Sequence, residues 1–429
     1  MSKKCRMYEE IIPYLLHWYD YNKRILPWRE DPTPYHVWVS EIMLQQTRVE
    51  AVKGYYDRFL TCLPDIQALA EAEEETLLKL WEGLGYYNRV RNMQKAAKVL
   101  MEQYGGEMPA DYEKIRALPG IGDYTAGAIS SIAFGLPYPA VDGNVLRVLS
   151  RITCSEEDIA KESTKKKVKE DLTNVLQAED IRKHLEGQEK KQAGDARQCQ
   201  AQRPDEQPGN SFGNLYGDFN QSLMELGATV CLPNGNPLCE QCPVMHLCKA
   251  FHAGREQELP VKTAAKARRI EHRRVYLITW DGKVLLHRRE KKGLLAGLWE
   301  FPNELVIESE KRYGDNTADG IAGFLEPLSG VRLHQTGKTK PAKHIFSHVE
   351  WHMEGIRLEV QTVPETGLST LTSTTSGTEA KNNATGQKTS QDWAFATRQE
   401  LQEKYPIPSA FEAFVREIMA EDEEASSEE

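Results

Sequence analysis

No apolar run in this 429-residue chain approaches the roughly 20 residues a membrane helix needs, so no membrane span is expected. The N-terminal MSKKCRMYEE carries no apolar core of the kind a secretory signal has, which points to the cytoplasm. From Tyr8 to about Gln177 there is no alternating apolar pattern of useful length, which argues against a sheet in that part. Net positive charge is also missing. The formal charge is −10, which read as one number counts mildly against a nucleic-acid partner. Distribution matters more than the sum. Much of the acid lies in segments that read as unfolded, such as the tail EDEEASSEE. Asn88–Lys98 carries four cations and no anion, and Lys262–Arg274 six cations and one anion. Basic faces are therefore available, although a single basic stretch is usually just solvated surface.

What is present organises the chain into two parts. Residues 1–252 read as consecutive short amphipathic helices, an all-α region, with Val37, Ile42 and Leu44 to Val49 at helical spacing. Gln177–Ser211 is polar and poor in large apolar residues, and reads as a disordered insertion. Residues 253–271 read as a basic interdomain linker. Residues 272–418 change texture to α+β. VYLITWDGKVLLHRR is two β-rich runs joined by Asp281-Gly282, HIFSHVEWHMEGIRLEVQTV is again strand–turn–strand, and FEAFVREIMAE is one amphipathic helix. Within this part Pro364–Gln391 reads as a disordered Ser/Thr/Gly-rich loop, and 419–429 as an acidic tail.

Four groups of residues carry chemistry. Cys231, Cys239, Cys242 and Cys248 fall within eighteen residues as C-x7-C-x2-C-x5-C. Four thiolates so close can wrap a tetrahedral zinc or the corners of an iron–sulfur cube. Spacing alone leaves both open, the long first loop favouring a cluster. The loop LPGIG, with Gly120 and Gly122, precedes a helix of small residues, and a glycine turn opening a helix can hold a phosphate. An ordinary helical connection is the bland alternative. Asp142 precedes an apolar-periodic helix and reads as an N-cap or as a carboxylate exposed at a helix mouth. Glu41 stands among Val37, Trp38, Val39, Ile42, Met43 and Leu44. Buried there it would keep a proton near neutral pH, whereas on a stripe with Ser40, Gln45 and Gln46 it would be an ordinary surface residue.

In order along the chain, WVSEIMLQQT, GLGYYNRVRN, LPGIGDYTAGAI, VDGNV and the four-cysteine run resemble the MutY family of adenine DNA glycosylases. That family belongs to the helix-hairpin-helix superfamily that includes endonuclease III, and the likeness spans most of Tyr8 to His252. The C-terminal part resembles the family's NUDIX-like recognition domain, mainly through HIFSH and GLWEFP. The resemblance implies a catalytic acid at Glu41, protonating adenine at N7, and at Asp142 a carboxylate stabilising the oxocarbenium ion left on the sugar. It implies that Asn144 and Tyr124 line that site, that Gln221 contacts the edge of a flipped adenine, and that Trp28 and Arg29 lie near the pocket. Leu44, Gln45 and Gln46 match the segment that fills the base stack. Gly120 and Gly122 match the phosphate-binding turn, and Phe346, Ser347 and His348 the loop that reads 8-oxoguanine opposite. The four cysteines match ligands of a [4Fe–4S] cluster, with a first spacing one residue longer than the family's usual one.

The implied partner is double-stranded DNA bearing A:8-oxoguanine or A:G mispairs, met by a monomer in a bacterial, nucleoid-associated setting. An endonuclease III-like glycosylase with lyase activity is one alternative, but it needs a lysine nucleophile. Lysine is absent from Leu118 to Arg151, and Tyr124 takes the matching place. A non-catalytic iron–sulfur DNA-binding protein would have no use for Glu41 and Asp142. A NUDIX phosphohydrolase would need the acidic metal-binding run that is missing after GLLAGLWEFPNE.

Overall fold

A computed structural model of the chain describes residues 2–178, 214–264, 266–306, 328, 331–362 and 392–425. Most of the expected insertion at 177–211 and the expected loop at 364–391 lie outside them. The contacts divide the chain into two units, Met1–Glu71 with Arg91–Ala264, and Ala72–Val90 with Ala265–Glu429. Ala72–Val90, expected in the helical region, thus groups with the second unit. Among the described residues no helix is long and apolar enough to cross a membrane.

The first unit is built of helices: α1 Lys3–Asn22, α2 Pro27–Glu30, α3 Pro34–Met43, α4 Val49–Cys62 and α5 Ile66–Glu71. After α6 (Glu74–Leu80), which belongs to the second unit, come α7 Asn88–Tyr104, α8 Tyr112–Arg116, α9 Asp123–Ala128, α10 Gly143–Thr153, α11 Glu162–Leu176, α12 Leu215–Thr229 and α13 Lys249–His252. Local chemistry sets several starts. Ser2, Thr33, Asp111 and Asp142 each cap a helix by accepting a backbone N–H, and Pro34 opens α3. α9 passes into a π-helical turn at Ile129–Ala133. Faces of α1, α10, α11 and α12 close on one core that includes Ile11, Leu15, Val148, Leu172, Phe219 and Leu223. Leu44 to Arg48 do not continue α3 as their spacing suggested. The helix ends at Met43 and Gln46 takes a φ of 60°, so these residues form a projecting turn.

The second unit is a mixed sheet of β1 Arg269–Trp280, β2 Lys283–Arg288, β3 Trp299–Glu300, β4 Asn303–Leu305, β5 Arg332–Lys338, β6 Ala342–Ile345, β7 Val349–Thr362 and β8 Trp393–Ala396. Its order is β3-β2-β1-β7-β5, with β4 on β1, β6 on β7 and β8 on β2. β1 and β7 run parallel through eleven paired positions, from Arg269↔Val349 to Thr279↔Glu359. Asp281 and Gly282, both at positive φ, make the expected hairpin turn. Alternation along β1 sends Val275 and Leu277 into one apolar cluster and Tyr276 and Ile278 into another. The first cluster is covered by α14 (Arg398–Glu403) and α15 (Glu412–Ala425) through Leu401, Phe414 and Ile418. α15 carries the backbone as helix into the stretch expected as an unfolded tail. β1 likewise begins inside the stretch expected as linker. Ahead of it Val261 O accepts from Ile159 N, so that stretch is partly docked on the first unit.

Candidate active site

Helix α3 buries Tyr35 and every residue from Val37 to Met43. Its polar stripe is not on the surface. Ser40 turns its hydroxyl back to Val37 O at 3.0 Å, and Glu41 is only 6% exposed. Glu41 Oε2 accepts a hydrogen bond of 2.5 Å from the Tyr124 hydroxyl, which rises from the first turn of α9. Burial pushes the Glu41 carboxyl up to about 7. The Tyr124 bond and the Arg29 charge oppose that rise, and the Asp142 charge adds to it. The Tyr124 hydroxyl is itself pushed well above its ordinary range, by burial first and then by the two carboxylates, so it stays a donor.

Asp142 caps its helix and also lines the same cleft as Glu41. Its Oδ1 accepts from Val145 N at 2.8 Å, the N-cap bond of α10, and its Oδ2 accepts from Asn144 Nδ2 at 2.8 Å. Burial raises its carboxyl, and these bonds with the Arg147 charge work against that. Asn144 is held in turn. Arg147 Nη2 donates to Asn144 Oδ1 and to Gly227 O, each at 2.8 Å, and Arg147 Nε donates to Cys231 O at 2.9 Å. The approach to Asp142 is close-packed. A Cβ on Gly127 of α9 would lie 2.2 Å from Pro139 O, so only glycine lets the 139–141 segment cross there.

One cleft of about 1000 Å³ brings together Trp28, Arg29, Glu41, Leu44, Gln45, Gln46, Tyr124, Asp142, Asn144 and Gln221. That is at the upper end of ligand-site volumes. Arg29 Nε donates to Gln221 Oε1 at 3.2 Å, and Arg29 Nη2 pairs with Glu225 Oε2 at 2.8 Å. Glu225 is fully buried, yet Arg24 and Arg29 hold its carboxyl below the usual range against the effect of burial. Sequence reasoning missed Glu225, Arg24 and Arg147. Gln221 and Glu225 stand four apart on α12, the spacing that shares a helix face, and that signal was available. Arg147 and Arg151 stand four apart in a helix whose other residues carry no charge, an equally readable oddity. Two lysines, Lys165 and Lys262, also line the cleft, from outside the hairpin.

Gly120 and Gly122 do not line this cleft. Gly120 takes a φ of 78°, and a Cβ there would meet Asn92 Cβ at 2.6 Å, so the turn needs glycine twice over. Gly122 is the N-cap of α9, with open space where its side chain would be. The four cysteines line a second, small cavity with Val148, Leu226 and Val244, and none of the four is in a disulfide. Burial pushes Cys242 up to about 12, with the neighbouring sulfurs adding to the rise. Arg151 Nη1 donates to Cys231 Sγ at 3.2 Å. This donor set, four sulfurs facing one cavity beside a guanidinium, fits a thiolate-held centre. Among the described residues no group of three or more His, Cys, Asp or Glu is drawn into a coordination sphere. In the second unit, Phe346, Ser347 and His348 form the turn between β6 and β7, closed by Phe346 N to Val349 O at 2.8 Å. Phe346 packs edge-on against Trp351 at 4.8 Å, while Ser347 and His348 are exposed.

Comparison with known proteins identifies the family. Residues 39–177 match the model of the HhH-GPD superfamily base excision DNA repair proteins, and residues 274–417 that of the NUDIX domain. The chain is 35% identical over 402 residues to the adenine DNA glycosylase of Mus musculus, covering 82% of this chain and 70% of that one. It is 34% identical over 404 residues to the Homo sapiens enzyme, covering 81% and 67%. With the adenine DNA glycosylase of Buchnera aphidicola subsp. Acyrthosiphon pisum it shares 30% identity over 329 residues, covering 75% and 83%. Likeness of this extent, running through the helical region and the sheet alike, places the chain in the adenine DNA glycosylase family.

Proposed function

We propose that the chain excises adenine mispaired with 8-oxoguanine or guanine by hydrolysing its N-glycosidic bond, and leaves the DNA strand intact. The observation that carries the reading is a buried carboxyl group, Glu41, and a half-buried one, Asp142, lining one cleft. Glu41, held near neutral in its pKa, keeps a proton to give. Asp142, whose carboxyl is raised by burial against the pull of two N–H donors and the Arg147 charge, takes the charge-bearing role. Adenine flipped out of the duplex enters the cleft and meets Arg29 and Gln221. Glu41 protonates N7, and the C1′–N9 bond breaks with its electron pair passing to the base. The Asp142 carboxylate stabilises the cation left at C1′ until water adds there, and the proton the water loses restores the Glu41 carboxyl group. Tyr124 stands where a lyase would need an amine, and its hydroxyl is committed to Glu41, which favours a monofunctional enzyme over an endonuclease III-like lyase.

Gly120 and Gly122 are assigned to the DNA backbone, Leu44 to Gln46 to the gap in the stack, and Phe346 to His348 to the base opposite. Cys231, Cys239, Cys242 and Cys248 would hold a [4Fe–4S] cluster, which when bound cross-links the loop and can exchange an electron. The test is adenine release from duplexes carrying A opposite 8-oxoguanine, G, C and T, with Asp142→Asn as the control. Asparagine caps a helix as well as aspartate does. The variant should therefore fold and bind the mispair but release no adenine, and substantial turnover would remove Asp142 from the mechanism.

A further inference from the structure

Ala72–Val90 belongs to the second unit although the sequence on either side of it belongs to the first. Two charged side chains tie it there. The Lys79 ammonium, in the last turn of α6, donates to Leu401 O at 3.0 Å and Tyr405 O at 3.1 Å, and pairs with Glu82 Oε2 at 2.6 Å. Glu82 Oε1 accepts from the Ile407 backbone N–H at 2.6 Å. These partners lie in α14 and the chain after it, where the last carbonyls of a helix have no partner of their own. The same chain is core. Tyr405 packs edge-on against Trp299 at 4.8 Å, Trp299 N donates to Pro406 O, and Tyr405 and Ile407 share one apolar cluster with Trp351. Trp351 is the ring on which Phe346 rests. A line of packed groups therefore runs from Lys79 and Glu82 to the turn at 346–348.

What the pair holds down is a strained loop. Gly83, Gly85 and Tyr86 have φ of 94°, 70° and 48°. A non-glycine residue in that region persists only where its surroundings impose it. Trp81 Nε1 bonds Gly85 O, and Arg89 Nη2 bonds Leu84 O and Gly85 O. The ring so displayed, Tyr86, is 49% exposed.

We infer that Lys79 and Glu82 are positioning residues for opposite-base discrimination, locking the Tyr86 loop to the rigid body that carries Phe346 to His348. The inference rests on the reading of 346–348 given above. The experiment is single-turnover adenine release by the full chain from A:8-oxoguanine and A:G duplexes. Glu82→Ala removes both the partner of Lys79 and the acceptor for Ile407. It should cut the 8-oxoguanine-over-guanine rate ratio about tenfold, within the usual range of coupling between sites. Glu82→Gln keeps an acceptor for Ile407 N–H and should restore most of the ratio. Combined with Phe346→Ala, Glu82→Ala should lower the ratio no further than Phe346→Ala alone, since members of one network do not add. An unchanged ratio in Glu82→Ala, equal slowing on both duplexes, or full additivity overturns the inference. A wild-type ratio in Phe346→Ala instead refutes the reading of 346–348, and this inference with it. Should Glu82→Ala fail to fold, Lys79→Gln assayed in the same way carries the same expectation.

Discussion

Replacing Tyr124 by phenylalanine removes one oxygen and with it the 2.5 Å hydrogen bond to Glu41 Oε2. After burial, which raises the Glu41 carboxyl, that bond is the largest influence on it and the strongest one holding it down. A hydrogen bond to a charged group is worth about 1.5–3 kcal/mol, and one pKa unit corresponds to about 1.4 kcal/mol. Loss of the bond should therefore lift Glu41 by about one to two units. Glu41 works protonated, so excision falls as pH rises through its pKa, at about 7 in the unmodified protein. In Tyr124→Phe the alkaline limb should lie one to two units higher, the direction being as diagnostic as the size. The assay is single-turnover adenine release from an A:8-oxoguanine duplex across the neutral and alkaline range, read from the position of the limb rather than the height of the plateau. A limb that stays in place, or moves to lower pH, would refute both the role of Glu41 as the acid and that of Tyr124 as its tuner.

The burial of Glu41 also has a stability consequence of definite sign. Its folded pKa, about 7, lies above its ordinary 4.5. Its effect is absent below the lower value, and stability is lost as pH rises through the higher one. Glu41→Gln should accordingly exceed the parent by about 3 kcal/mol in alkaline denaturant titrations and match it near pH 4, and equal differences at both would contradict this. Arg147→Gln strips donors from Asn144 Oδ1, Gly227 O and Cys231 O. It should lose about 1–3 kcal/mol for each buried carbonyl left unpaired and slow excision on every duplex alike, and a fully stable, fully active variant would show that Asn144 needs no such support. Anaerobically purified protein should be brown, and Cys242→Ala should lose the iron–sulfur absorbance, whereas stoichiometric zinc without iron in the parent would overturn the cluster assignment.

The helical character of the region from Tyr8 onward was readable from its periodicity, and the β1–β2 turn from its own chemistry at Asp281-Gly282. The projecting turn at Leu44–Arg48 was not. Its residues keep helical spacing, and only the ending of α3 at Met43 turns them outward. For Glu41 the sequence offered two environments. The choice between them depended on Ser40 bonding inward to Val37 O, and on Gln45 and Gln46 lying past the helix end, neither of which is a property of composition. For Asp142 the two readings were never rivals, because a carboxylate has two oxygens. Glu225 and Arg147 each had a local signal in their helix spacing, but what pairs them, Arg24 and Arg29 for Glu225 and Gly227 O and Cys231 O for Arg147, lies about 80 to 200 residues away. The grouping of Ala72–Val90 with the sheet depends on backbone groups some 320 residues away, at Leu401 and Tyr405, which no local pattern encodes.

The crossing at Gly127 sets the mechanical tolerance of the whole site. The 139–141 segment passes over α9 with a carbonyl oxygen where a methyl would otherwise sit, and then delivers Asp142; α9 itself delivers Tyr124, whose hydroxyl donates to Glu41 Oε2. Asp142 and the Tyr124 hydroxyl that bonds Glu41 thus both depend on one backbone crossing that has no slack. A single methyl would prise it open by roughly an ångström, and misplacements of that size cost about a hundredfold in rate. The placing of Asp142 against the Tyr124–Glu41 bond is therefore gauged by a residue with no side chain.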